Sequence, residues 1–454
     1  MSYIKKITII LLLFLLSSCS MTIGPREPLS YEDLLFDTSY VHTIDVEISE
    51  EDWNSLLKIP TEKVKYHVNV TVDGERFEDV AFASKGNISL TTIARKEEID
   101  RYSFKINFTK FTQDNDYHGL NRLHLNNGFC DATYMKDYLS YRIISEAGID
   151  TPLVTYVWLT INGEDFGLFQ AIEEVGKSWL KRTGLEGGEL YKPESRGAAG
   201  GTRSVTLVYR GDEIDKYAGI FAGSETNADD DAKRRVIAAI KALNEQVDLD
   251  KYLEADEIIR YFVGHNFVCN YDSYTGRMLH NFYLYEKDGK LSIYPWDYNF
   301  SFGGFRSGGT DMSINKGIDS PMRRPSDTED RPLWVWIIDN EQYLARYHEL
   351  FNELLRTYFE SGRCEQEIET IYRMIRPYVD KDPTAFYSVE DLDKAISALK
   401  TYCLKRSQSI RKQLNGELAT SYEDQNEDDR IPKDDLNIMD MGFYGTDRFS
   451  KKQD

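Results

Sequence analysis

The chain is short of cysteine, of basic residues and of long apolar runs. Five cysteines are spread over 454 residues, and their spacings match no zinc-binding pattern. Cys130 and Cys269 read as buried small hydrophobes, and Cys364 and Cys403 fall in one helical region where they could pair. Fifty-five Lys and Arg stand against 76 Asp and Glu, a formal net charge of −21. Such a field repels nucleic acid but leaves room for local basic pockets that hold phosphates. Past the N-terminus no stretch is apolar for long enough to cross a bilayer. The glycine cluster Gly197-Ala198-Ala199-Gly200-Gly201 is followed by no Gly-Lys-Ser/Thr, which excludes a Walker-type phosphate loop. No internal repeat is visible.

What is present is a chain with enough apolar content, 41%, for a sizeable core. Lys5 and Lys6 precede an apolar run from Ile9 to Leu16 and then Ser17-Ser18-Cys19, the layout of a secretory signal. The Cys after small residues is similar to a bacterial lipoprotein box, which makes Cys19 the expected lipidation site and residues 1–19 the signal. Residues 20–38 read as a tether. From there Thr43–Ile48 alternates as a strand, and Ser49 with Asp52 is a helix start. Val64, Tyr66, Val68, Val70 and Val72 occupy alternate positions up to Asp73-Gly74, a strand and a hairpin turn. Phe77–Ala83 returns, and Tyr102, Phe104, Ile106 and Phe108 alternate again, so residues 40–110 are expected to form a largely antiparallel sheet. Asn162-Gly163 marks another hairpin. Glu173 and Glu174 are expected to open a helix. The apolar spacing is helical from Asp230 to Val263 and again from Pro332 to Leu414. The polar residues 416–454 are expected to form a mobile tail.

Residues 269–304 carry the chemistry. Asp272 sits in a polar loop. His280-Asn281 leads into Phe282–Tyr285, a turn at Asp288-Gly289, a second run Leu291–Tyr294, and then Trp296-Asp297. A hairpin returns its ends to one place, so Asn281 and Asp297 are expected side by side with Asp272 as neighbour. One amide oxygen and one or two carboxylates suit a hard cation such as Mg²⁺. A loop Asp, an Asn, two strands and a second Asp followed by glycine is also the order found in kinase-type phosphoryl transfer. The nine residues from Asp272 to Asn281 depart from the usual spacing of about five.

Several pieces, in order over roughly residues 40–415, resemble the spore coat protein H (CotH) family of atypical kinases. They are Lys85-Gly86-Asn87-Ile88-Ser89, Ser103–Phe108, Leu125-Asn126-Asn127 with Asp131, Asn162-Gly163, Gly167-Leu168-Phe169, Leu190-Tyr191-Lys192, Asn270-Tyr271-Asp272, His280–Tyr285 and Pro295-Trp296-Asp297. The resemblance implies an α+β, atypical protein-kinase-like fold. It would have a β-rich N-terminal lobe over about 39–192 and a mainly helical C-terminal lobe over about 230–415. It implies ATP- and Mg²⁺- (or Mn²⁺-) dependent transfer to a Ser or Thr hydroxyl of a protein in the cell envelope or outside the cell, by a lipid-anchored lipoprotein. In that scheme Asp272 is the catalytic residue and Asp297 and Asn281 hold metal. Lys105 or Lys85 contacts phosphate, and Glu173 orients the lysine. Spacing does not decide between the two lysines. The family's Trp-Asp-x-Asp is here Trp296-Asp297-Tyr298-Asn299, which opens the alternative of a non-catalytic, lipid-anchored surface binding protein. A glycan hydrolase using Asp272 and Asp297 is a third class, which no sequence feature demands.

Overall fold

A computed structural model describes residues 30–444 apart from 97, 196 and 199. The expected signal and Cys19 lie outside the described residues. Seven strands close into a barrel: β1 (His42–Glu47), β2 (Tyr66–Val72), β3 (Glu75–Lys85), β4 (Ser103–Asn107), β5 (Arg122–Asn126), β6 (Val154–Ile161) and β7 (Glu164–Glu173), in the order β1-β2-β3-β4-β5-β7-β6. Neighbours run antiparallel except at the closing seam, where β1 lies parallel to β6 with Ile44 opposite Leu159. The alternation seen in the sequence fills the barrel: Val68, Val70, Val72, Phe82, Phe104, Ile106, Leu123, Leu125 and Phe169 form one apolar core. Val64 lies ahead of β2 and is 40% exposed, so the strand starts two residues later than its spacing suggests. Turns close as their residues require: Asn162 (φ 54°) and Gly163 (φ 80°) both take the left-handed conformation of a tight hairpin.

Most of the rest of the chain is helical, and the helices pack mainly on one another and on a second sheet. They include α1 (Glu50–Lys58), α2 (Lys136–Glu146), α3 (Lys177–Thr183), α4 (Asp230–Glu245), α5 (Ala255–Val268), α6 (Glu341–Leu354), α7 (Arg363–Lys381) and α8 (Val389–Leu414). Ser49 caps α1 by accepting the Asp52 amide at 3.1 Å. Among the described residues no helix is long and apolar enough to cross a membrane. A second, three-stranded sheet joins β8 (Glu189–Tyr191) to the hairpin β9 (Phe282–Lys287) and β10 (Lys290–Pro295), with β9 in the middle. Glu173, expected to open a helix, instead ends β7, and the helix begins at Lys177.

Two contacts fix the site's walls. α2 lies directly on α5: a Cβ at Gly264 would come within 2.7 Å of the Ile144 Cα. Arg101, 1% exposed, ties the barrel to the end of α7 through Asp382 at 3.0 Å. The same guanidinium donates to the Leu168 carbonyl, while Asp382 accepts the Leu168 amide at 2.9 Å.

The segment after α8, expected to be mobile, is held against the body as far as Tyr444. Leu418, Leu436, Ile438 and Met441 are buried. The fully buried Lys136 donates to the carbonyls of Gly442 (2.6 Å) and Cys130 (3.0 Å). The Tyr444 amide donates to the Gly304 carbonyl at 3.1 Å, and its ring packs on Phe300 and Phe305. Main-chain carbonyls accept most of these bonds, so a polar composition was compatible with order. The four cysteines among the described residues are free and buried.

Candidate active site

The hairpin β9–β10 pairs Phe282 with Pro295 at its open end. Asn281 therefore immediately precedes the ladder and Asp297 follows it by two residues. Both residues are bent into positive φ, 57° each. Non-glycine residues in that region cost about 1–3 kcal/mol, and such strain clusters at functional sites. The Asp297 bend is held from α2: its amide donates to the Tyr141 hydroxyl at 3.0 Å.

Both residues, with Asp272, line one cavity of about 410 Å³ between the barrel and the helical part of the chain. Lys85, Gly86 and Asn87 line its barrel side, and Asn299 and Phe300 continue the wall beyond Asp297. Asp272 stands four residues beyond α5, in the loop that leads to β9. One of its oxygens accepts from His280 Nε2 at 2.9 Å and the other from Asn281 Nδ2 at 3.1 Å. That leaves the Asn281 amide oxygen as the donor atom for a cation. Burial raises Asp272 above the usual carboxylate range, the His280 hydrogen bond opposes it, and the charge of Asp297 adds to the rise. Burial works against a charge on His280, but Asp272 and then Glu194 override it and lift the imidazole to about 9.

The structure separates the two candidate lysines. Lys85, at the end of β3, faces the cavity and donates to the Asn126 side chain. Lys105 does not line the cavity. It is held by a carboxylate at 2.5 Å, and that carboxylate belongs to Glu174. Glu173 is turned to the opposite side: it accepts from Tyr31 at 2.6 Å and from Arg182 at 2.8 Å, and reaches neither lysine. Consecutive residues leaving a strand point to opposite faces, so pairing Glu173 with Leu123 across the sheet sends Glu174 to the lysine side. Glu174 also holds Arg122 and His124. Burial alone would raise it, but His124, Lys105 and Arg122 together hold it well below the usual range.

Sequence reasoning missed Asp137. It enters the cavity from the first turn of α2, accepts the Tyr298 amide at 2.7 Å and the Asn126 side-chain amide at 3.0 Å, and lines the cavity beside Asp297. Burial first, and the Asp297 charge second, push its carboxyl well above the ordinary range, with Lys85 opposing. In the sequence it sits within a tyrosine stripe that reads as core packing, and no local signal marks it.

No group of three His, Cys, Asp or Glu residues among the described ones forms a ready-made metal cage. The donors at hand are hard oxygens: the carboxylates of Asp297, Asp272 and Asp137 and the amides of Asn281 and Asn299. Mg²⁺ uses one or two carboxylates and completes its shell with water and substrate phosphates, so this donor set fits it.

With this geometry in hand, residues 83–410 match the family described as CotH kinase protein. The chain belongs to the CotH family. A curated relative, the inner spore coat protein H of Bacillus subtilis (strain 168), is 24% identical over 330 residues, which cover 71% of this chain and 86% of that protein.

Proposed function

We propose that this CotH-family chain is a metal-dependent phosphotransferase that moves a phosphoryl group from ATP to a hydroxyl of a protein, with a two-lobed, kinase-like division of labour. The observation that carries this reading is the convergence of Asp272, Asn281, Asp297 and Lys85 on one cavity from the barrel and the helical half. Asp297 and Asn281 would hold Mg²⁺ or Mn²⁺, which when bound neutralises phosphate charge. Asp272, fixed on both oxygens by His280 and Asn281, orients the acceptor hydroxyl and takes its proton. Lys85 faces the phosphates and is positioned by Asn126 and Asp137. Little covalent help is needed, because such transfer runs on positioning and electrostatics.

We also propose envelope or coat association, which the name of the Bacillus relative supports, and a lipid on Cys19, which the N-terminal pattern supports. One observation favours a second reading, a nucleotide-binding protein without turnover. Asn299 lines the cavity where the family's Asp is expected, which removes one charge from the metal's surroundings. Incubation of the purified chain with Mg²⁺, ATP and envelope proteins, followed by mass analysis of the acceptor, decides between the readings. Added phosphate supports transfer, and added nucleotide redirects it to nucleotidyl transfer. An unmodified acceptor together with an Mg²⁺- and ATP-dependent thermal shift supports the non-catalytic reading.

A further inference from the structure

Three lysines from distant parts of the chain line the cavity, and each is held by a neutral partner. Lys63 follows the turn after α1 in a left-handed conformation (φ 51°) and donates to the Asn87 side chain at 3.1 Å. Lys85 donates to Asn126. Lys192, just past β8, lies over aromatic rings, its Nζ 5.0 Å from the centre of Trp296 and 5.5 Å from that of Tyr283. Among the described residues none of the three has a carboxylate oxygen within ion-pair distance, whereas neighbouring Lys105 is quenched by Glu174 at 2.5 Å.

Burial lowers all three lysines from their ordinary range. The charge of Lys192 lowers both Lys63 and Lys85 further. Lys85 lies within the field of Asp297 and Asp137, and Lys192 within that of Asp297, Glu174 and Glu225. Lys63 is the most exposed of the three. Gathering ammonium groups in a partly dry cavity is unfavourable unless an anion compensates them. Amide and aromatic partners hold the side chains in place without using up the charge. Three such cations lining one cavity fit an anion that is itself a chain of charges.

We infer that Lys85, Lys192 and Lys63 form a cradle for a polyphosphate chain. The inference deepens the phosphotransferase reading and rests on it for the identity of the ligand as a nucleoside triphosphate. Affinity should then rise with phosphate number, and inorganic tripolyphosphate should compete without any base.

The test is calorimetric or fluorescence binding of ATP, ADP, AMP and tripolyphosphate, each with Mg²⁺. It uses the wild-type chain, Lys192→Met, Lys63→Met, the charge-conserving Lys192→Arg, and Lys105→Met as a quenched-charge control. Losing one charge-assisted hydrogen bond weakens binding by roughly 10- to 100-fold. Lys192→Met and Lys63→Met should each lose about that much for ATP and tripolyphosphate and much less for AMP. Lys192→Arg should recover most of the loss, and Lys105→Met should stay within about 3-fold. Lys63→Met, at the most exposed of the three lysines, serves if Lys192→Met does not fold. Wild-type affinity for ATP that is unchanged in both Met variants overturns the cradle and leaves the phosphotransferase reading standing. Tripolyphosphate binding without nucleotide binding supports the cradle and overturns that reading. Binding of neither overturns both.

Discussion

Replacing Arg101 with Met should cost the folded protein about 3–5 kcal/mol, the usual loss when one partner of a buried ion pair is removed. The guanidinium and the Asp382 carboxylate are 1% and 0% exposed and 3.0 Å apart, and at an effective dielectric constant of about 20 their attraction is about 5 kcal/mol. After the substitution the carboxylate keeps the amides of Leu168 and Thr384, which moves the expectation to the lower end of that range. Arg101 also stacks on Phe169, 4.5 Å from the ring centre, and a Met side chain retains part of that packing. Denaturant unfolding of Arg101→Met, Asp382→Asn and the double variant measures the effect. The double variant should be less destabilised than the sum of the singles by at least about 1 kcal/mol, because the two residues share one interaction. This pair clamps β7 to the end of α7, and so sets the spacing between the barrel and helical walls of the cavity. A loss below about 0.5 kcal/mol in Arg101→Met, or strict additivity, would refute the claim that the seam is held here.

Gly167→Ala should destabilise the same seam, since its φ is +123° and its Cβ would fall 2.2 Å from an Asp382 oxygen; the unfolding midpoint checks it. Asp297→Ala should abolish the Mg²⁺-dependent part of nucleotide binding and leave the far-ultraviolet circular dichroism spectrum unchanged. Asp272→Asn should keep nucleotide binding and lose about 10²- to 10⁴-fold in transfer rate, the span of general-base contributions, read by phosphate incorporation. His280 is lifted above its unfolded value of about 6.5 to about 9, so its stabilising contribution is complete below the first value and is lost as pH rises through the second. His280→Gln should flatten that alkaline decline in the unfolding midpoint between roughly pH 6.5 and 9. Truncation after Gly416 should lower the midpoint, because it removes the buried Leu436, Ile438 and Met441 and one of the two carbonyls that hold Lys136.

Features set by neighbours in the chain were legible in the sequence. The alternation of Tyr66–Val72, the turns at Asp73-Gly74 and Asn162-Gly163, the Ser49 cap and the β9–β10 hairpin each depend on a few adjacent residues, and each lies where the sequence places it. Family membership was legible for the same reason, through short ordered motifs. What escaped depends on partners far apart in the chain. Closure of the barrel needs His42–Val46 to lie parallel to Val157–Ile161, and no residue in either strand announces a parallel neighbour. The choice between Glu173 and Glu174 is one of parity, and parity is fixed by the Leu123 register across the sheet. A one-residue error there exchanges a structural carboxylate for the one that holds Lys105.

The same reasoning explains why the cavity's charge was under-read. Asp137, Lys63 and Lys192 come from a helix, a turn and a strand end that only the closed fold brings together. Read singly, each is an ordinary polar residue. The residues found from sequence are Asp272, Asn281 and Asp297, which one short ribbon delivers to one place, and Lys85, which its own short motif marks. A site assembled from both kinds is therefore recovered in part by motif reading, and what is missing here is Asp137 and the two further lysines. Asp137, Asp272, Asp297, Lys63, Lys85 and Lys192 are among the carboxylate and lysine groups that share a single enclosure, and their mutual fields shift several of them from ordinary behaviour. Such an arrangement is costly to keep empty of ions. It becomes favourable when a cation meets the acids and a polyanion meets the lysines at once, which is the charge pattern of a metal–nucleotide complex.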